Sequence, residues 1–144
     1  MSGYDTLGMP DVGEQTLDGP ETFDGLLGFR FLGASADTAR GEAPFAARIC
    51  QRFGMVHGGA YAALAEMVAT EGTVANVWES GSFCSGLSNS TNFMRPVTGG
   101  DRIRAEARAV HRGRTTWIWD VDLIDDEDRV CAVSRVTIAV RPRT

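Results

Sequence analysis

His57-Gly58-Gly59-Ala60-Tyr61-Ala62-Ala63-Leu64-Ala65-Glu66-Met67-Val68-Ala69-Thr70-Glu71-Gly72-Thr73-Val74-Ala75-Asn76-Val77-Trp78 is the stretch on which the fold turns. From Gly59 to Trp78, Tyr61, Leu64, Ala65, Val68, Gly72 and Ala75 recur at intervals of three and four, the spacing of a helix with one buried stripe. No other segment is long enough for such a helix. Upstream, Gly28 to Arg48 mixes apolar and polar residues at strand-like spacing with a break at Ser35 to Asp37, which predicts two strands. Downstream, strands are predicted at Ser82–Arg95, Arg102–Val110, Thr115–Ile124 and Arg129–Arg141. In the second of these, Arg102, Arg104, Glu106 and Arg108 alternate with Ile103, Ala105, Ala107 and Ala109, giving one wet and one dry face. Trp117, Trp119, Val121 and Leu123 alternate in the same way, and Asp125 to Asp128 makes a hairpin turn. Two strands, one long helix and four strands define an α+β domain in which a curved antiparallel sheet wraps a central helix.

The 144 residues suffice for one buried core and are too few for two ordinary domains. Residues 1–25, rich in Gly, Asp and Thr, read as a loosely ordered arm with at most one helical turn. The folded domain is expected over 26–144. A net charge of −5 argues against a nucleic-acid partner. There is no lysine, and ten of the fourteen arginines lie from Arg95 onward, so the fixed cations are guanidinium groups suited to phosphate. Cys50, Cys84 and Cys131 are odd in number and widely spaced, which indicates neither a disulfide framework nor a metal site. A reducing cytoplasm is the expected setting. No signal peptide or membrane span is expected either.

Glu66 has no Lys or Arg three or four residues away, and no cation occurs between Arg52 and Arg95. A solvated glutamate usually has such a partner. Glu71 and Glu79 fit a solvated face, whereas Glu66 falls close to the apolar stripe. The glycines before the helix leave its first N–H groups open to a ligand carbonyl, at the end where the macrodipole favours negative charge. That arrangement makes an oxyanion site from backbone alone. Gly58 and Glu66 stand about 12 Å apart along one helix, while both must come within about 3 Å of one reacting centre. If both take part, Gly58 of one protomer must face Glu66 of another across a two-fold axis. Thr70 shares the face of Glu66 and is placed to hold a water or orient the carboxylate.

The stretch from Gln51 to Glu71, with Asn92-Phe93-Met94-Arg95-Pro96-Val97, Arg104-Ala105-Glu106-Ala107, Thr115 to Val121, Cys131-Ala132-Val133-Ser134 and Ile138 to Arg143, resembles the hotdog-fold acyl-CoA thioesterases. It is most like the glutamate-type 4-hydroxybenzoyl-CoA thioesterases. The resemblance implies that Glu66 attacks the thioester carbonyl, or activates water as a base, and that Gly58 donates to the oxyanion. It also implies that Gln51, His57 and Thr70 shape the catalytic site, His57 having a second reading as a helix cap. Arg95 and Thr115 match positions that contact the CoA nucleotide. Arg114 replaces a small hydroxyl residue, and Thr144 stands where the family has a terminal arginine, so Arg114 and Arg143 are the expected substitutes. No cofactor is implied, CoA being part of the substrate; the helix geometry above makes an obligate homodimer the expected unit, and a dimer of dimers, a homotetramer, is the expected assembly. The competing expectations are a non-catalytic acyl-CoA sensor, a thioesterase for phenylacetyl- or medium-chain acyl-CoA, and, weakest, a hydratase. A hydratase would want a His and Asp dyad, and no carboxylate lies within four residues of His57.

Overall fold

A computed structural model describes residues 19–143. Helix α1 (Phe23–Leu27) leads into β1 (Arg30–Ala34) and β2 (Thr38–Pro44), and a loop then reaches the long helix α2 (Gly58–Val77). Strands β3 (Ser82–Phe93), β4 (Arg102–Arg112), β5 (Thr116–Ile124) and β6 (Val130–Pro142) follow. The elements expected from residue 28 onward are all present, most with ends moved by one or two residues. Most of the expected N-terminal arm, residues 1–18, lies outside the described residues, and the expected boundary at residue 25 falls inside α1.

All six strands join one antiparallel sheet in the order β1-β2-β4-β5-β6-β3. The chain leaves β2 through α2 to reach β3 at the far edge of the sheet and returns to place β4 beside β2, so β1 and β3 are the edges. Inward-facing residues build the core: Ile103, Ala105 and Ala107 from β4, Trp119, Val121 and Leu123 from β5, and Val136 and Ile138 from β6. Helix α2 lies against this face through Leu64, Ala65, Val68, Ala69 and Gly72. At Gly72 the approach is so close that an added β-carbon would stand 2.7 Å from the Ala39 β-carbon and 3.1 Å from the Trp119 ring. The buried indole N–H of Trp119 donates to the Thr73 hydroxyl at 2.9 Å, which in turn donates to the Ala69 carbonyl at 2.8 Å.

Helix α2 is covered more broadly than a single stripe. Ala60, Tyr61, Leu64, Ala65, Met67, Val68, Ala69, Gly72, Thr73 and Val77 are all buried, because the sheet curves around the helix and reaches it from several sides. The charged outer face of the sheet is tied across strands. Arg135 grips Asp120 with two hydrogen bonds of 2.7 and 2.8 Å, and Arg108 approaches the same carboxylate at 3.6 Å. Among the described residues, no helix is long and apolar enough to cross a membrane.

Candidate active site

The start of α2 has an asymmetric supply of hydrogen bonds. His57 adopts an extended conformation as the N-cap, and its Nδ1 accepts the Gly59 N–H at 2.8 Å. Its carbonyl accepts the Ala60 N–H at 2.9 Å and the Tyr61 N–H at 3.4 Å. Of the first four helical N–H groups, which an α-helix cannot satisfy itself, only that of Gly58 has no acceptor among the described residues. His57 is therefore a helix cap, and it leaves one donor open at the positive end of the dipole.

The two glycines also have a packing reason that the sequence does not reveal. A β-carbon on Gly58 would stand 2.8 Å from Cζ of Phe93, and one on Gly59 would stand 3.0 Å from Nδ1 of His57. Phe93 in turn lies 6.2 Å, centroid to centroid, from the buried ring of Tyr61. An aromatic wall thus stands beside the open N–H.

Glu66 lies farther along α2, between the buried Ala65 and Met67, and opens into a cavity of about 430 Å³ lined by Phe23, Ala63, Met67, Thr70 and Gly86 among others. Its side chain is exposed, contrary to the expectation that it leaves the solvated face. The cavity mouth lies on a part of the helix that the sheet leaves open. No hydrogen bond or ion pair reaches its carboxylate among the described residues. Thr70 lines the same cavity, as the four-residue spacing predicts, whereas Gly58 is not part of that lining.

Gln51 heads the loop before α2, which the Cys50–Val56 bridge closes. Its side-chain oxygen accepts the Phe53 N–H, so it serves its own loop. The residues expected to grip CoA do not gather in one place. Arg95 donates its backbone N–H to the Cys131 carbonyl at 3.0 Å, whereas the Thr115 carbonyl accepts from the Val140 N–H at 2.9 Å. Those partners are nine residues apart on β6, about 30 Å at strand rise. Arg114 shares the exposed turn of Thr115. Arg143 is engaged elsewhere: its guanidinium stacks 3.8 Å from the Trp78 ring centroid and donates to the Trp78 carbonyl at 2.8 Å, capping the far end of α2.

Sequence reasoning missed Gly86, Phe93 and Phe23. For Gly86 a signal existed, since a lone glycine inside a strand marks a bulge or a close approach.

Residues 53–132, from the loop before α2 into the start of β6, match the thioesterase superfamily. The chain belongs to that superfamily. As a thioesterase it is 36% identical over 116 residues to the proofreading thioesterase EntH of Klebsiella pneumoniae, covering 79% of this chain and 82% of that protein. It is 33% identical over 123 residues to the 1,4-dihydroxy-2-naphthoyl-CoA hydrolase of Escherichia coli, covering 81% of this chain and 84% of that one. A solved thioesterase structure from Pseudomonas aeruginosa superposes with a TM-score of 0.80 at 34% identity, over 90% of this chain and 97% of the other. The α+β fold of this thioesterase is the hotdog fold, and its chemistry is thioester hydrolysis.

Proposed function

We propose that this thioesterase hydrolyses an aromatic acyl-CoA of the 4-hydroxybenzoyl type, with Glu66 as nucleophile and the Gly58 N–H of a second protomer as oxyanion donor. The observation that carries this reading is a complementary pair of unsatisfied groups. A carboxylate opens into a cavity without a cation or hydrogen bond among the described residues, and one helix N–H remains open beside exposed Phe93. They stand eight residues apart on one helix, too far to serve one carbonyl.

The Glu66 carboxylate attacks the thioester carbonyl, and the resulting oxyanion is held by the Gly58 N–H and the helix dipole. The C–S bond then breaks, CoA leaves as the thiolate and takes up a proton, and an acyl anhydride remains on Glu66. Water placed near Thr70 cleaves the anhydride, releasing the aromatic acid and restoring the carboxylate. His57 keeps the helix entry in shape, and Gln51 borders it.

A dimer is supported by strand β3, which is a sheet edge and exposes large apolar side chains: Leu87 in mid-strand is 59% exposed, and Phe93 and Met94 at its C-terminal end are 58% and 55% exposed. An unpaired edge of that length and character is a natural place for a second copy. Dimerisation also explains how Arg95 of one protomer and Arg114 or Thr115 of another reach the same CoA. We propose a dimer of dimers, a cytoplasmic setting, and no requirement for a cofactor. An aromatic acyl group is favoured by Phe23 in the Glu66 cavity, by Phe93 and Tyr61 beside Gly58, and by the naphthoyl-CoA named for one relative.

The test is thiol release from 4-hydroxybenzoyl-CoA, phenylacetyl-CoA and a medium-chain acyl-CoA by the parent and by Glu66→Ala. The parent should prefer the aromatic thioester, and the variant should lose about three orders of magnitude in kcat. Comparable release by Glu66→Ala would remove Glu66 from its role, and equal rates on the medium-chain substrate would remove the aromatic preference.

A further inference from the structure

Strand β3 breaks its register where it passes α2. Gly86 pairs with Ile138 and Ser88 with Thr137, so Leu87 is an extra residue, a β-bulge. On a regular strand, residues three apart point to opposite faces. The bulge turns Gly86 and Asn89 to the same face, the one toward α2. There an added Gly86 β-carbon would stand 2.6 Å from Glu66 Oε1. Asn89 Nδ2 donates to the Ala62 carbonyl at 2.8 Å.

That carbonyl is the helical acceptor for the N–H four residues on, which is the N–H of Glu66 itself. The Asn89 amide is held in turn. Its Oδ1 lies 2.6 Å from the Thr91 hydroxyl and 3.1 Å from the buried Ser134 hydroxyl, and the two hydroxyls are 2.8 Å apart. Because a carbonyl only accepts, the amide nitrogen must face Ala62. Ser134 belongs to β6, so a chain of hydrogen bonds runs from the body of the sheet through Asn89 to the turn that carries Glu66.

We infer that Asn89 is a positioning residue, which holds the Ala62–Glu66 turn of α2 against the bulge and so sets where the Glu66 carboxylate stands relative to the thioester. This rests on the role proposed above for Glu66. Asn89 acts through the helix and touches no reacting atom. Its side chain is exposed, so shortening it removes little packing.

The test compares the parent, Asn89→Ala, Asn89→Asp and Glu66→Ala as full-length proteins, with 4-hydroxybenzoyl-CoA as probe and thermal melts as a check on folding. Asn89→Ala should lower kcat about tenfold with KM within about twofold, since a small misplacement of a reacting group slows chemistry more than binding. Asn89→Asp keeps the shape and the acceptor for Thr91 and Ser134 but offers Ala62 no donor at neutral pH. It should show the same loss, and its rate relative to the parent should recover as pH falls toward the carboxylate range and the acid regains a proton. Parental kcat in Asn89→Ala, a change confined to KM, or parental kcat in Asn89→Asp at neutral pH would each overturn the inference. An inactive Glu66→Ala beside an unimpaired Asn89→Ala sinks this inference alone, whereas an active Glu66→Ala sinks the reading beneath it.

Discussion

The ring of Phe93 rests on the α-carbon of Gly58, where a β-carbon would meet Cζ at 2.8 Å, beside the N–H in the first turn of α2 that has no acceptor among the described residues. A space filled by a ring and an open donor coincide at one residue. Gly58→Ala alone therefore confuses two effects.

Replacing Gly58 in a Phe93→Ala background separates them. Proline is tolerated at the first helical position, and the extended His57 before it, at φ −69° and ψ 135°, has the conformation that proline favours in its predecessor. Gly58→Pro with Phe93→Ala should fold and lose about 10²- to 10³-fold in kcat, because only the N–H has gone. Gly58→Ala with Phe93→Ala should keep most of the activity of Phe93→Ala alone. Equal rates for the two double variants, measured by thiol release, would dismiss the Gly58 N–H as oxyanion donor.

Gly86→Ala is expected to act on Glu66 without unfolding the protein. The new methyl meets the far end of a flexible side chain, so the carboxylate swings aside rather than the backbone. Displacing the proposed nucleophile should lower kcat by about 10²-fold, with the melting temperature close to that of the parent. A large drop in melting temperature at unchanged kcat would mean that the space serves packing alone.

Gly72→Ala should do the opposite. Its added carbon meets Ala39 and the Trp119 ring, both buried and fixed by the sheet. Overpacking of this kind costs about 1–3 kcal/mol. Denaturant unfolding should show that loss, while kcat per folded molecule stays near the parental value.

Acid should weaken the fold through Asp125. Burial acts to raise its pKa, but hydrogen bonds from the Arg129 backbone and guanidinium and from the Glu127 N–H outweigh it and hold the carboxyl at about 2, below the ordinary 3.8. A carboxyl with a lowered folded-state pKa favours folding above its unfolded value, and that contribution disappears as pH falls from about 4 to about 2. Urea midpoints of the parent should therefore fall over that window, and Asp125→Asn should show a flatter dependence. An equally steep fall in the variant would place the acid sensitivity elsewhere.

The sequence by itself determined the order of elements, the single long helix, the wet and dry faces of β4 and β5, and the glycine pair at the helix start followed on the same helix by a glutamate with no cation within one turn. These are local properties: a period of 3.6 or 2 and the absence of a cation within one turn need no knowledge of distant residues. Tertiary structure alone decided that Gly58 keeps the free N–H, that the bulge at Leu87 turns Gly86 and Asn89 toward the helix, and that Arg143 caps α2 rather than standing free. It also set Arg95 and Thr115 at opposite ends of β6. Each of these depends on register and close approach between residues far apart in the chain, and hydrophobic spacing carries no information about which carbonyl, ring or carboxylate will be the neighbour.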